Sequence, residues 1–151
     1  VVAAVPSPAH ALFEESRYGY HQPYKGSMDF KKHLFRVIGD LETTGEEHEC
    51  AIAIDRNPQV RAWVRNTSRQ PHSFWLQTSS DKFYPDFVAL LNDGRIVVIE
   101  YKGEPYFTND DSKEKRLIGD LWADRSSGKC LFVMIEKKEF VRIERAREIA
   151  K

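Results

Sequence analysis

The chain has 151 residues, which suits one domain and allows a core without disulfide or metal staples. Hydrophobic residues make up 41% and charged residues 30%, values that exclude a disordered or fibrous chain. Basic and acidic side chains number 23 each, so bulk charge does not advertise a nucleic-acid partner, although a local basic patch is still compatible with it.

The longest apolar runs, 51–54, 96–99 and 131–135, are far too short to span a membrane. Residues 1–5 are apolar but stop at Pro6 without a basic flank, so they do not read as a signal peptide. The missing initial Met reads as a fragment or trimmed chain. Cys50 and Cys130 give no disulfide framework and fit a reducing cytoplasm.

Residues 1–27, broken by Pro6, Pro8 and Pro23, read as an irregular arm or linker, and 28–151 as one domain. Residues 29–38 fit a short helix or a strand. Thr44 and Glu47 have the spacing of a capping box opening a helix over 45–55, apolar from Cys50 to Ile54. Asn57-Pro58 then has the pattern of an N-cap and first turn of a second short helix, with Val60, Trp63 and Val64 as its buried stripe. Strands are expected over 73–78, 83–91 and 95–101. An amphipathic helix over 110–126 follows a loop at 103–109. Residues 130–136 form a continuous apolar strand, and 140–149 a charged terminal helix. The order predicts an α/β fold around a mixed central sheet flanked by helices.

The informative stretch is 83–103. Asn92-Asp93-Gly94 is a hairpin signal. With all three residues in the loop and Gly94 at positive φ, Leu91 faces Arg95 and Asp86 lands opposite Glu100. The strand period then puts Lys102 on the same face as Glu100. A two-residue loop would place the two carboxylates on opposite faces. Paired carboxylates repel unless a cation sits between them, and a hard ion such as Mg²⁺ suits their oxygens. The alternative is a solvated strand end, with Asp86 capping a turn and Glu100 and Lys102 as a weak surface pair.

Pro85-Asp86, an apolar hairpin and Glu100-Tyr101-Lys102 together resemble the signature of the PD-(D/E)xK nuclease superfamily. The resemblance covers about 44–136 and implies a restriction-endonuclease-like αβββαβ core. It is closer to the C-terminal endonuclease domain of type III restriction enzyme subunits and related helicase-nucleases. Thr44-x-x-Glu47, Trp63-Val64-Arg65-Asn66, Tyr84-Pro85-Asp86-Phe87 and Glu100-Tyr101-Lys102-Gly103 carry that likeness. Cys50-Ala51 departs from the expected Phe-Ala, a difference in packing only.

The resemblance implies that Asp86, Glu100 and the Tyr101 carbonyl bind Mg²⁺, with Mn²⁺ as substitute, and that Lys102 positions water and stabilises phosphate charge. It also implies a helix carboxylate, best matched by Glu47, with Glu46 and Glu49 weaker candidates because the helix interior does not fix its facing. A capping role for Glu47 competes with this. Lys115, Arg61, Arg65 and Arg69 are candidate DNA-backbone contacts, against the reading of an ordinary charged surface. The expected activity is that of a metal-dependent endonuclease on DNA, joined to an ATPase or helicase region and active as a dimer or larger assembly. The rival is a docking or DNA-clamping module of the same fold.

Other chemistries fare worse. The five histidines lack zinc spacing, and no phosphate-binding G-x-x-x-x-G-K-[ST] occurs. Trp63, Trp75 and Trp122 fall on apolar stripes and read as core residues.

Overall fold

The computed structural model describes residues 14–102 and 110–136. The loop expected at 103–109, the terminal helix expected at 140–149 and residues 1–13 of the expected arm lie outside the described residues.

Helix α1 (Glu46–Arg56) is followed by strands β1 (Val60–Arg65), β2 (Leu76–Gln77), β3 (Lys82–Phe83), β4 (Phe87–Leu91) and β5 (Ile96–Tyr101), then helix α2 (Asp110–Asp124) and strand β6 (Cys130–Ile135). The main sheet runs β1-β4-β5-β6, and β2 pairs with β3 in a separate two-stranded sheet. β1, β4 and β5 are antiparallel neighbours, whereas β6 lies parallel to β5 after the α2 crossover. The fold is therefore α/β with a mixed four-stranded central sheet.

The sheet is covered on both faces because its strands alternate between two apolar cores. Phe87, Ala89, Val97, Ile99, Leu131 and Val133 face Cys50, Ala51 and Ile54 of α1. Val88, Val98, Phe132 and Met134 face Ile118 and Trp122 of α2, together with Leu76 and Phe83. Trp63 and Trp122 are buried as expected, but Trp75 is only half-buried, beneath the Lys82 ammonium.

The second short helix is absent: residues 60–65 form β1. Asn57 ends α1, donating its N–H to the Ile54 carbonyl, and its Oδ1 accepts the Gln59 N–H. A register shift between Val60 and Ala62 explains the misleading pattern. The bulge lets Val60 and Trp63, three apart, face the same core, which imitates helical spacing. α1 itself starts at Glu46 behind Gly45, with no side-chain cap, so Thr44 and Glu47 do not form the capping box. The strand expected over 83–91 splits at Tyr84-Pro85-Asp86 into β3 and β4, and the one over 73–78 shrinks to β2.

Residues 29–38 are neither helix nor strand and run along the outer edge of β1. The Trp63 N–H donates to the Lys32 carbonyl at 3.1 Å and the Leu34 N–H to the Trp63 carbonyl at 2.9 Å. This covers an edge that would otherwise be open to pairing. Buried Asp55 fixes the arrangement by accepting the Lys32 N–H and the Trp63 indole N–H. Residues 18–24 also pack on the body: the Tyr18 hydroxyl donates to the Arg65 carbonyl and the Tyr24 N–H to the Ile38 carbonyl. Among the described residues, no helix is long and apolar enough to cross a membrane.

Candidate active site

The hairpin has the register that a three-residue loop dictates. Phe87 pairs with Ile99, Val88 with Val98, Ala89 with Val97 and Leu90 with Ile96. Gly94 takes φ 92° and donates its N–H to the Leu91 carbonyl, closing the loop.

Extending that register one step brings Asp86 to Glu100. The Asp86 N–H donates to Glu100 Oε1 at 3.1 Å, and the Tyr101 N–H donates to Asp86 Oδ2 at 2.8 Å. The Lys102 ammonium lies 3.1 Å from Glu100 Oε2, on the face the strand period requires. Asn66 locks the segment before Asp86, donating from Nδ2 to the Pro85 and Phe74 carbonyls, while its own N–H bonds the Asp86 carbonyl.

Glu47 joins this cluster from α1. Arg65 links the two sides: Nη2 contacts Glu47 Oε1 at 2.5 Å, while Nη1 lies 3.4 Å from Asp86 Oδ1 and donates to the Asp86 carbonyl at 2.9 Å. Of Glu46, Glu47 and Glu49 it is thus Glu47 that faces the cluster. Glu46 instead accepts the Tyr101 hydroxyl at 2.6 Å, and Glu49 is exposed.

Burial sets the electrostatics. Glu100 is only 4% exposed, and burial, followed by the Asp86 charge, pushes its pKa well up. The same two causes raise Glu47 to about 7, against the pull of Arg65. Burial works against the Lys102 charge, but Glu100 outweighs it and holds the ammonium above its usual range. Carboxylates that resist ionisation beside one another are what a bound cation would relieve. Cys50 is fully buried, which raises its thiol pKa, and it remains a core residue.

The basic candidates separate. Arg65 is only 12% exposed and is spent inside the cluster, not on the surface. Lys115 leans over the Phe83 ring and pairs with Asp111 at 3.0 Å. Arg61 is exposed, but it sits where β1 meets Leu90 and Leu91, at the far end of the sheet from Asp86. Arg69 is exposed and pairs with Asp81. Two roles went unread in the sequence, those of Arg65 and Asn66. Both sit in the Trp63–Asn66 motif, in which Arg65 was expected as a DNA-backbone contact and Asn66 had no assigned task.

Among the described residues, no group of three or more His, Cys, Asp or Glu side chains forms a ready metal cage. The donor set nonetheless fits Mg²⁺, which commonly takes one or two carboxylates and completes its shell with water and substrate phosphate. Asp86 and Glu100 supply hard oxygens, and the buried Oε1 of Glu47 has no hydrogen-bond partner beyond its charge contact with Arg65. No family model, curated protein or solved structure matches the chain.

Proposed function

We propose that the chain is a metal-dependent endonuclease module with a restriction-endonuclease-like core, hydrolysing phosphodiester bonds in DNA. The observation that carries this reading is the placement of Asp86 against Glu100, with Lys102 on the Glu100 carboxylate. The order helix, three antiparallel strands, helix, parallel strand also supports it once the β2–β3 hairpin is set aside as an insertion.

Asp86 and Glu100 would hold Mg²⁺ or Mn²⁺, with the Tyr101 carbonyl and Glu47 as further oxygen donors. When bound, the cation supplies charge neutralisation at phosphorus and lowers the pKa of the attacking water. Lys102 holds a positive charge beside the scissile phosphate and stabilises the charge that builds there as water displaces an ester oxygen. Glu100 fixes the Lys102 ammonium, and the Tyr101 amide fixes the Asp86 carboxylate. Lys115 adds a second cation near the same phosphate.

The neutral overall charge fits a module delivered to DNA by an ATPase or helicase region of the same or a partner protein. Cutting both strands would call for two such modules, hence a dimer or larger assembly. A second reading, a docking or DNA-clamping module, is favoured by the internal pairing of the cluster, where Arg65 and Lys102 already neutralise carboxylates.

The test is incubation of labelled duplex DNA, single-stranded DNA and RNA with the protein in Mg²⁺ and in EDTA. Cleavage of DNA in Mg²⁺ alone supports the reading. No cleavage of any substrate, or cleavage that persists in EDTA, overturns it.

A further inference from the structure

Arg65 is anchored by more than the carboxylates it touches. Its guanidinium donates to the Asp86 carbonyl at 2.9 Å and to the Asp40 carbonyl at 3.4 Å, and it lies 5.3 Å above the centre of the Phe87 ring. The Arg65 peptide is held as well, its carbonyl by the Tyr18 hydroxyl and its N–H by His33 Nε2. These contacts do not depend on Glu47 or on the Asp86 carboxylate. The guanidinium therefore stays in place when carboxylate oxygens turn to another cation. Its forked shape lets one rigid group reach both elements, with Nη2 on Glu47 and Nη1 on Asp86. Each carboxylate keeps further lone pairs for a metal.

We propose that Arg65 is a positioning residue for the metal, holding Glu47 of α1 beside Asp86 of the sheet so that both carboxylates face one divalent cation. The proposal rests on the metal-dependent reading above and adds a residue to it. Two forces compete at this point. The positive charge of Arg65 disfavours a second cation nearby, whereas its grip removes the freedom and the mutual repulsion of two carboxylates from separate elements. The positional effect wins, because the guanidinium is bound independently of both carboxylates and ligand orientation by such partners commonly governs metal affinity. Loss of Arg65 should therefore weaken metal binding, not tighten it.

The experiment is calorimetric titration of Mn²⁺ into the full chain and into Arg65→Met, Arg65→Lys, Glu47→Gln, Asp86→Ala and the double variant Glu47→Gln/Arg65→Met, with circular dichroism confirming each fold. Arg65→Met should weaken Mn²⁺ binding about 10-fold or more. In the Glu47→Gln background the same change should cost no more than about threefold, since little remains for Arg65 to hold. If Arg65→Met does not fold, Arg65→Lys carries the test: it keeps the charge, loses the fork and should also bind more weakly. Unchanged or tighter binding in the variant that folds overturns the proposal. So does an equal loss with and without Glu47. If the wild type binds Mn²⁺ through Asp86 and Arg65 has no effect, only this inference fails. If the wild type binds no Mn²⁺, the metal site falls and the Arg65 role with it.

Discussion

Asp86 and Glu100 interlock across two strands: the Asp86 N–H donates to the Glu100 carboxylate, while the amide next to Glu100 donates to the Asp86 carboxylate. The exchange fixes both side chains at the head of the β4–β5 hairpin and buries a charge to do so. On the proposed reading, in which Glu100 holds the metal, function and stability are opposed at this residue.

Glu100→Gln tests that opposition. The amide keeps the shape, and its Oε1 can still accept the Asp86 N–H, but the buried charge beside Asp86 is gone. Relief from burial and from the Asp86 charge is set against the lost Lys102 contact, where the amide Nε2 would meet the ammonium donor to donor, so the metal-free melting midpoint should move by no more than roughly 2–4 °C. The stabilising response to Mg²⁺ should disappear. Thermal unfolding with EDTA and with Mg²⁺ reads both effects, and a Mg²⁺ response that survives Glu100→Gln would contradict the account.

Gly94 closes the hairpin turn, and its φ of 92° is one that other residues adopt with strain. A Cβ there meets no atom within 4 Å, so the cost of Gly94→Ala is backbone strain alone. It should amount to about 1 kcal/mol, or roughly 2–4 °C in midpoint, with Gly94→Asn costing less. The apolar faces of β4 and β5 hold the pairing, so cleavage should survive in both variants. Loss of cleavage in a folded Gly94→Ala would place the register under the control of the turn alone.

Gly119 lets α2 approach the sheet. A Cβ at this position would fall 2.4 Å from ring atoms of Phe132. Alanine gains about 1 kcal/mol of helix propensity, yet overpacking commonly costs 1–3 kcal/mol, and here the obstacle is a buried aromatic ring in a sheet strand. Gly119→Ala should lower the urea midpoint, and adding Phe132→Leu should recover part of the loss. A stabilised Gly119→Ala would mean that the helix moves away from the sheet freely.

Two buried groups give opposite pH dependences. Burial holds His33 down to about 4, with Nε2 accepting the Arg65 N–H. Below its ordinary value of 6.5 the unfolded chain takes a proton that the native ring refuses, so this term falls as pH drops from 6.5 towards 4. Glu47, raised from 4.5 to about 7, keeps a proton that the unfolded chain sheds, so its term falls as pH rises through that window. In the wild type the two offset. Glu47→Gln should make stability climb more steeply between pH 4.5 and 6.5, by up to about 1.4 kcal/mol per pH unit, and His33→Asn should do the reverse. Urea midpoints at three pH values measure the slopes. Parallel slopes in all three proteins would refute this assignment.

The hairpin was legible because its signals are local: a turn tripeptide between two apolar, β-rich runs, and charges at one end. Two carboxylates and a lysine could be placed together by counting along two strands. β1 was not legible, because its bulge puts Val60 and Trp63 three apart on one face and Asn57-Pro58 imitates a helix start. That error hid Arg65. A residue on an exposed helix face reads as a surface cation, whereas the same residue paired with Phe87 in a central sheet points into the carboxylate cluster. Glu47 was found, but its facing depended on where α1 begins, and Gly45 moved that start past Thr44.

The most direct measurement is nicking of supercoiled plasmid in Mg²⁺ by the wild type, Asp86→Ala and Lys102→Ala, with Mn²⁺ binding followed on the same samples. The wild type should nick the plasmid. Asp86→Ala should neither bind the metal tightly nor cut, and Lys102→Ala should retain the metal while losing at least about 100-fold in rate, the scale of removing one transition-state charge partner. Cutting by Asp86→Ala at the wild-type rate would contradict the assignment of the site.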